Sequence, residues 1–244
     1  MTHVKGDVRR YAIFRSFVNV EKQKLLVQES LQCHMKNSTE KQTPTDWNHM
    51  ETSSTSETFQ LGVRCGGDLT PTLPLAVAVA RRAFRQALQE ESRLGDVSSI
   101  PALETLSQPN IPLAGLVLLY GLQASMPSHY DSPTQPGQRE EWLVMLTMGN
   151  DVRFRCNDDI VQLQSGDVLV MDSMAVLHGV ESIVENDNGG VRIEKPDLGL
   201  PISSRLGILF WQGQSPVDKV DSASFSVVEG VGNLFPDSDD SDDE

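Results

Sequence analysis

The apolar positions change their spacing along the chain, from helical patterns near the N-terminus to short strand-like runs in the second half. Residues 11–18 (YAIFRSFV) form an apolar run that predicts a strand. Asn19 follows this run and is placed to cap a helix that begins near Glu21. The N-terminal region therefore predicts a strand followed by a helix, over about residues 1–35.

A second helix is predicted after residue 73, because Pro74 suits the first turn of a helix. Its apolar stripe has helical spacing and consists of Val77, Ala80, Phe84 and Leu88. Arg81, Arg82 and Arg85 fall on the other faces. We expect these arginines to be solvated, although phosphate binding is an alternative.

From residue 112 onward, short apolar runs alternate with turn residues, which is typical of an all-β sandwich or barrel. The candidate strands are residues 112–121, 142–148, 152–156, 160–164, 168–171, 205–212 and 224–228. Helices thus precede strands. This order predicts one layered α+β domain whose β half carries the chemistry.

Two polar segments interrupt these patterns. Residues 36–58 are rich in Ser and Thr, which predicts a mobile loop, and we expect Trp47 to pin this loop to the domain. The last eight residues, DSDDSDDE, contain six acids. They predict a disordered acidic tail over residues 233–244, which would solubilise the protein or contact a basic partner protein.

Charge and cysteine content narrow the class of protein. The chain has 20 Lys and Arg against 34 Asp and Glu, a net charge of −14, which argues against a general nucleic-acid-coating protein. Cys33, Cys65 and Cys156 are far apart and lack C-x-x-C spacing. Neither a disulfide framework nor a zinc knot is indicated, so a reducing compartment is favoured.

The sequence predicts neither a membrane span nor a signal peptide. There is no run of about 18 apolar residues, the length that a membrane helix needs. Arg9, Arg10 and Arg15 suggest a transit peptide, but Asp7 and Glu21 interrupt their basic character. We expect a monomer in the cytoplasm or nucleus.

Two of the five histidines stand in a pattern that predicts a metal site. His129 and Asp131 are two residues apart, so in an extended strand they project from the same face. His178 would arrive from another strand. Two imidazoles and one carboxylate can hold Fe(II) and leave positions open for a co-substrate and oxygen. Such a triplet with a later histidine also arises by chance, so its strand context matters.

In this context the chain resembles the AlkB-like family of iron(II) and 2-oxoglutarate dioxygenases. The segments that carry the resemblance are 116–131 (LVLLYGLQASMPSHYD), 146–154 (LTMGNDVRF), 163–171 (LQSGDVLVM), 177–180 (LHGV) and 205–212 (RLGILFWQ). Residues 60–63 (QLGV) and the run from Tyr11 also have counterparts. The resemblance therefore covers about residues 10–215.

The resemblance implies a double-stranded β-helix, or jelly roll, with the N-terminal helices packed on one sheet. The domain would span residues 59–232, with the jelly roll mainly in residues 112–230. Iron would be held by His129, Asp131 and His178. The co-substrate 2-oxoglutarate would chelate the iron, pair its distal carboxylate with Arg205 and accept a hydrogen bond from Tyr120. A guanidinium suits that role because its planar fork matches a carboxylate.

The implied activity is hydroxylation or oxidative demethylation, and methylated DNA or RNA is the expected substrate class. Three departures from the family pattern affect the co-substrate: Trp211 replaces a second arginine, and Gly207 and Leu118 replace asparagines. Weaker binding of 2-oxoglutarate is therefore predicted, because a hydrogen bond to a charged group contributes about 1.5–3 kcal/mol. Two further departures affect the substrate side: Val63 replaces a tryptophan and Pro133 an acid.

These departures leave three alternatives open. The first is a catalytically weak or inactive jelly-roll binding module. The second is a dioxygenase that acts on a protein or a small molecule. The third is a cupin-like metal enzyme independent of 2-oxoglutarate, which would leave Tyr120 and Arg205 unexplained.

Overall fold

The computed structural model of the protein describes residues 10–37, 58–60, 72–94, 100–132, 140–184, 187–188, 191–192, 197–200 and 204–212. All of them belong to the unit that spans residues 1–214. The residues outside this description include Trp47, Val63, Pro133, most of the predicted 36–58 loop, the candidate strand 224–228 and the acidic tail. None of the helices in the described ranges is long and apolar enough to cross a membrane.

Three helices lie in the described part of the chain: α1 (Val20–Asn37), α2 (Pro74–Leu94) and α3 (Ile100–Ser107). The strands there are β1 (Tyr11–Phe14), β2 (Thr58–Gln60), β3 (Leu113–Tyr120), β4 (Met126–His129), β5 (Trp142–Gly149), β6 (Asp151–Cys156), β7 (Asp159–Leu163), β8 (Val168–Asp172), β9 (His178–Val184), β10 (Asp187–Asn188), β11 (Val191–Arg192) and β12 (Arg205–Gln212).

The strands form two main antiparallel sheets. The larger has the order β1-β8-β5-β12-β3-β2 and the smaller β4-β9-β6-β7, while β10 pairs with β11. Side chains from both main sheets share one apolar cluster, with Leu143 and Met171 from the larger sheet and Phe154 and Val180 from the smaller. The two sheets therefore pack face to face as a double-stranded β-helix, as the resemblance implied.

The helices cover the other face of the larger sheet. Alternate residues of its central strands, such as Val144, Ile208 and Phe210, share a second core with Leu26 of α1 and Phe84 of α2. This alternation follows from the two-residue period of a strand. The predicted α+β layering, with N-terminal helices on one sheet, is confirmed.

Local capping explains where the first helix begins. The backbone N–H of Lys22 donates to Asn19 Oδ1 at 3.0 Å, so Asn19 is the predicted N-cap. The strand before it ends at Phe14, four residues earlier than expected, and Ser16 adopts a positive φ of 49° in the connecting turn. Helix α1 continues through Asn37, so the predicted loop begins later than residue 36.

The expectation that all three α2 arginines are solvated is wrong for Arg81. Arg82 and Arg85 are exposed, but Arg81 is buried. Its guanidinium donates to the carbonyls of Gln108 and Ile111, just beyond the end of α3. Carbonyls near a helix C-terminus lack intrahelical partners, so a long cationic side chain can satisfy them.

Candidate metal centre

The two sheet strands β4 and β9 bring the candidate ligands together. They are antiparallel neighbours, and His129 lies directly opposite His178. Asp131 follows β4 by two residues, and its backbone N–H donates to the carbonyl of Ser173 at 3.0 Å. His129 Nε2 lies 3.5 Å and His178 Nε2 3.8 Å from Asp131 Oδ1. The ligand atoms of all three residues lie within 4.8 Å of one another, so one divalent ion could contact all of them.

Both imidazoles are oriented by their own backbone. His129 Nδ1 lies 2.9 Å from the carbonyl oxygen of Pro127, and His178 Nδ1 lies 2.9 Å from that of Val176. A carbonyl only accepts, so each Nδ1 donates its proton. In a neutral imidazole the lone pair is then on Nε2, where it is available to a metal ion, whereas a protonated His129 donates from Nε2 towards Asp131 Oδ1. Such support for the second ring nitrogen is typical of metal-binding histidines.

The pKa values in the triad follow from burial and from contacts within it. A hydrogen bond to Asp131 raises the pKa of His129, whereas burial lowers that of His178. Burial alone would raise the pKa of Asp131, but hydrogen bonds from His129 and Ser173, with the nearby imidazoles, outweigh it and lower that pKa. Asp131 is thus held as a carboxylate beside a buried histidine that favours its neutral form.

The triad lines a cavity of about 290 Å³ between the sheets. Most of its walls are apolar side chains, which include Leu116, Leu143, Met145, Phe154, Met171 and Val180. Polar residues on the lining include Tyr120, Ser132, Glu141 and Ser173. The cavity therefore combines a metal-binding edge with a mostly apolar interior.

Arg205 begins β12 and is completely buried. It lies opposite Tyr120 of β3, and its Cζ is 5.9 Å from the centre of the Tyr120 ring. None of its three guanidinium nitrogens has a hydrogen-bond partner in the described part of the chain. Burial lowers the pKa of Arg205 to about 10, against the opposing effects of Tyr120 and Asp151, so it remains charged at neutral pH.

The environment of Arg205 fits an anionic ligand. By strand alternation its side chain lies on the same face of β12 as Leu209 and Trp211, which line the cavity. Burial raises the pKa of Tyr120 to about 12, although Arg205 opposes this, so the Tyr120 hydroxyl remains a donor. The buried guanidinium, which has no hydrogen-bond partner within the described ranges, and the neighbouring hydroxyl could both be satisfied by a carboxylate such as that of 2-oxoglutarate.

Comparison with solved structures finds proteins whose structures are similar to this one. The structure of OsALKBH1 is similar to 85% of this chain and 100% of its own, with 16% identity and a TM-score of 0.56. The fold of this chain is therefore similar to that of OsALKBH1. Weaker likenesses include a prolyl hydroxylase from Trichoplax adhaerens (13% identity, 84% of each chain, TM-score 0.43) and a 2OG-Fe(II) oxygenase family oxidoreductase from Burkholderia pseudomallei (9%, 84% of each chain, 0.42). No family model and no curated protein matches the sequence.

The three residues that differ from the family pattern on the co-substrate side lie on one surface of the fold. Leu118 and Trp211 line the cavity, and Gly207 lies opposite Leu118 in the β3–β12 register. All three are on the inner face of the strands that carry Tyr120 and Arg205. The polar groups expected beside the co-substrate are therefore replaced by an apolar wall.

The structure also adds two cavity residues that the sequence reasoning missed, Glu141 and Ser173. Ser173 hydrogen-bonds Asp131 through both its carbonyl and its side chain. Glu141 precedes an apolar strand, and its two-residue spacing from Leu143 and Met145 was the signal that could have placed it on the inner face.

Proposed function

We propose that this protein is an Fe(II)- and 2-oxoglutarate-dependent dioxygenase. The observation that carries the proposal is that His129, Asp131 and His178 line the same cavity as Tyr120, and that Tyr120 lies opposite Arg205. The guanidinium of Arg205 is fully buried and has no hydrogen-bond partner among the described residues. A cationic side chain buried without partners is costly, which favours a role in binding an anion. The AlkB-like fold supports the same function.

Each side chain has a distinct role in this proposal. His129, Asp131 and His178 would hold iron through two Nε2 atoms and a carboxylate oxygen. Arg205 would pair with the distal carboxylate of 2-oxoglutarate, and Tyr120 would donate a hydrogen bond to it. When bound, iron and 2-oxoglutarate supply the oxygen activation that hydroxylates a C–H bond. The apolar walls exclude water, and no protein acid or base is needed.

We propose methylated nucleic acid as the substrate. Hydroxylation of an N-methyl group gives a product that releases formaldehyde, which leaves the unmethylated nitrogen. The AlkB-like fold motivates this choice. Because the chain carries a net charge of −14, we expect recognition of one nucleotide at the cavity rather than broad contact with phosphates.

A second candidate is a jelly-roll module with little or no activity. It is favoured by one observation, the apolar wall of Leu118 and Trp211 beside the co-substrate position. If this wall prevents 2-oxoglutarate from binding, the metal site would have only a structural role.

Turnover separates these candidates. We expect Fe(II), 2-oxoglutarate, oxygen and a methylated oligonucleotide to yield succinate and formaldehyde with the wild type, and neither product above background with His178→Ala. Mass spectrometry would measure both. Glu21→Gln is a matched control because Glu21 is highly exposed on α1. Equal succinate from the wild type and His178→Ala, or none from the wild type, would contradict the proposal, and succinate without formaldehyde would redirect the search for substrate.

A further inference from the structure

Asn157 is an exposed residue whose contacts neither the proposed iron site nor the co-substrate site explains. It follows Cys156, the last residue of β6, and begins the two-residue turn that leads to Asp159 of β7. Its φ of 56° lies in the left-handed region, which few side chains adopt and in which asparagine is enriched. The turn alone therefore favours asparagine or glycine at this position.

Two hydrogen bonds join Asn157 to Leu177, which directly precedes β9. The backbone N–H of Asn157 donates to the carbonyl of Leu177 at 2.7 Å, and the N–H of Leu177 donates to Asn157 Oδ1 at 2.9 Å. In the β6–β9 ladder Cys156 is opposite His178, so these bonds extend the ladder by one residue. The carbonyl of Asn157 itself accepts from Arg155 Nη1 at 3.4 Å. The amide oxygen of the side chain therefore takes the place of a backbone acceptor that the turn has directed elsewhere.

Asn157 and His178 bind opposite edges of one peptide group. The N–H of Leu177 and the carbonyl of Val176 belong to the same planar trans peptide, in which they point in opposite directions. Asn157 Oδ1 accepts from this N–H, and His178 Nδ1 lies 2.9 Å from this carbonyl oxygen. Because the peptide is planar, the hydrogen bond to Asn157 constrains the direction of the carbonyl. The carbonyl in turn orients the imidazole and its Nε2.

Strand β4 packs closely against the other side of this segment, since β9 lies between β4 and β6 in the sheet. A Cβ at Gly179 would lie 2.7 Å from the carbonyl oxygen of Met126 and 2.9 Å from Cα of Ser128. Both of these residues belong to β4, which also carries His129. The start of β9 is therefore held between β4 on one side and Asn157 on the other.

We propose that Asn157 is a positioning residue for the metal ligand His178, and this inference rests on the proposed iron site. The alternative is that Asn157 only closes the turn between β6 and β7. Glycine distinguishes the two roles, because it adopts the left-handed conformation readily but has no acceptor oxygen. Aspartate keeps an acceptor oxygen and also tolerates that conformation.

Metal affinity tests this role. Mn(II) binding is measured by calorimetry at neutral pH, and the free energy of unfolding is measured in urea on the same proteins. We expect Asn157→Gly to weaken Mn(II) binding about 10-fold, as for loss of other groups that orient a ligating histidine. Asn157→Asp should bind Mn(II) as the wild type does. Asp158→Gly changes an exposed residue of the same turn and is the control, with unchanged affinity expected.

A second readout needs no metal. Nitrogen NMR identifies which ring nitrogen of His178 carries the proton. We expect the Nδ1–H form in the metal-free wild type, because the Val176 carbonyl only accepts, and a mixture of both forms in Asn157→Gly. If Asn157 only closed the turn, Asn157→Gly could change the free energy of unfolding but would alter neither the ring form nor the Mn(II) affinity of the folded protein.

The inference would be overturned by an Asn157→Gly variant that matches the wild type in Mn(II) affinity and ring form. An Asn157→Asp variant as weak as Asn157→Gly would also overturn it, because an acceptor oxygen would then have no effect. If the wild type binds no Mn(II), the proposed function fails together with this inference; if it binds and the variants do not differ, only this inference fails. Should Asn157→Gly not fold, hydrogen exchange at the Leu177 amide of the wild type decides: slow exchange supports the inference, and exchange as fast as at an exposed amide overturns it.

Discussion

Arg205 shows how a single residue can oppose stability in the empty protein. Its guanidinium is fully buried and its nitrogens have no hydrogen-bond partner among the described residues. A pKa lowered from 12.5 to about 10 corresponds to a cost of about 3 kcal/mol for keeping the charge at neutral pH. In our account, a bound carboxylate recovers this cost.

Replacing Arg205 should therefore stabilise the empty protein and abolish co-substrate binding. We expect Arg205→Met to raise the free energy of unfolding by about 1–3 kcal/mol, because an apolar side chain of similar length removes a buried charge that has no hydrogen-bond partner among the described residues. Urea unfolding measures this effect, and Arg205→Lys, which keeps a charge, is the control. Mn(II) with 2-oxoglutarate should raise the melting temperature of the wild type more than Mn(II) alone, and Arg205→Met should lack this increment. A destabilised Arg205→Met would mean that Arg205 already has a stabilising partner.

At the same scale, the sequence predicted which side chains meet but not how they are held. The spacing of His129 and Asp131 follows from strand alternation, and the structure brings His178 to them from the neighbouring strand. The hydrogen bonds from Nδ1 to Pro127 and Val176 depend on local backbone direction. Periodicity alone does not determine that direction, so these bonds were not predicted.

At the scale of elements, a side chain of α1 caps the N-terminus of α2. Glu29 of α1 accepts hydrogen bonds from the backbone N–H groups of Leu75 and Ala76, at 2.8 Å and 2.9 Å. These groups lie in the first turn of α2, where N–H groups have no intrahelical partner and a negative charge is favoured. Pro74 marked the start of α2 in the sequence, but its capping partner lies 45 residues earlier and was not predictable from local pattern.

Removing this cap should destabilise the helical layer. We expect Glu29→Ala to lower the free energy of unfolding by about 1–2 kcal/mol, as for loss of other N-terminal caps. Glu29→Gln keeps one acceptor oxygen and should lose less. Urea unfolding would measure both, with Glu21→Ala on the exposed surface of α1 as control. If Glu29→Ala and Glu21→Ala have the same free energy of unfolding, this would contradict the prediction, because water would then hydrogen-bond the two N–H groups as well as Glu29 does.

Helix α3 was missed because it is short. It has eight residues, Ile100–Ser107, with Pro101 in its first turn. So few residues give little periodic signal. The same omission led to the wrong expectation for Arg81, because the carbonyls that it contacts follow this helix.

At the scale of the whole molecule, the order of elements predicted the layers but not the pairing. Helices followed by apolar runs indicated an α+β domain, and most candidate strands are present near their expected positions. The position of β12 between β3 and β5, and the pairing of β1 with β8, depend on contacts between distant parts of the chain. Only the family resemblance, not the periodicity, pointed to this jelly-roll topology.

The central claim is that one cavity binds iron and 2-oxoglutarate together. Chelation of Fe(II) by 2-oxoglutarate gives a weak visible charge-transfer band, which can be recorded without oxygen. We predict this band in the wild type, its loss in His178→Ala because a metal ligand is missing, and its loss in Arg205→Met at the same concentrations. No band from the wild type at any concentration of iron and 2-oxoglutarate, or an equal band from all three proteins, would contradict the account.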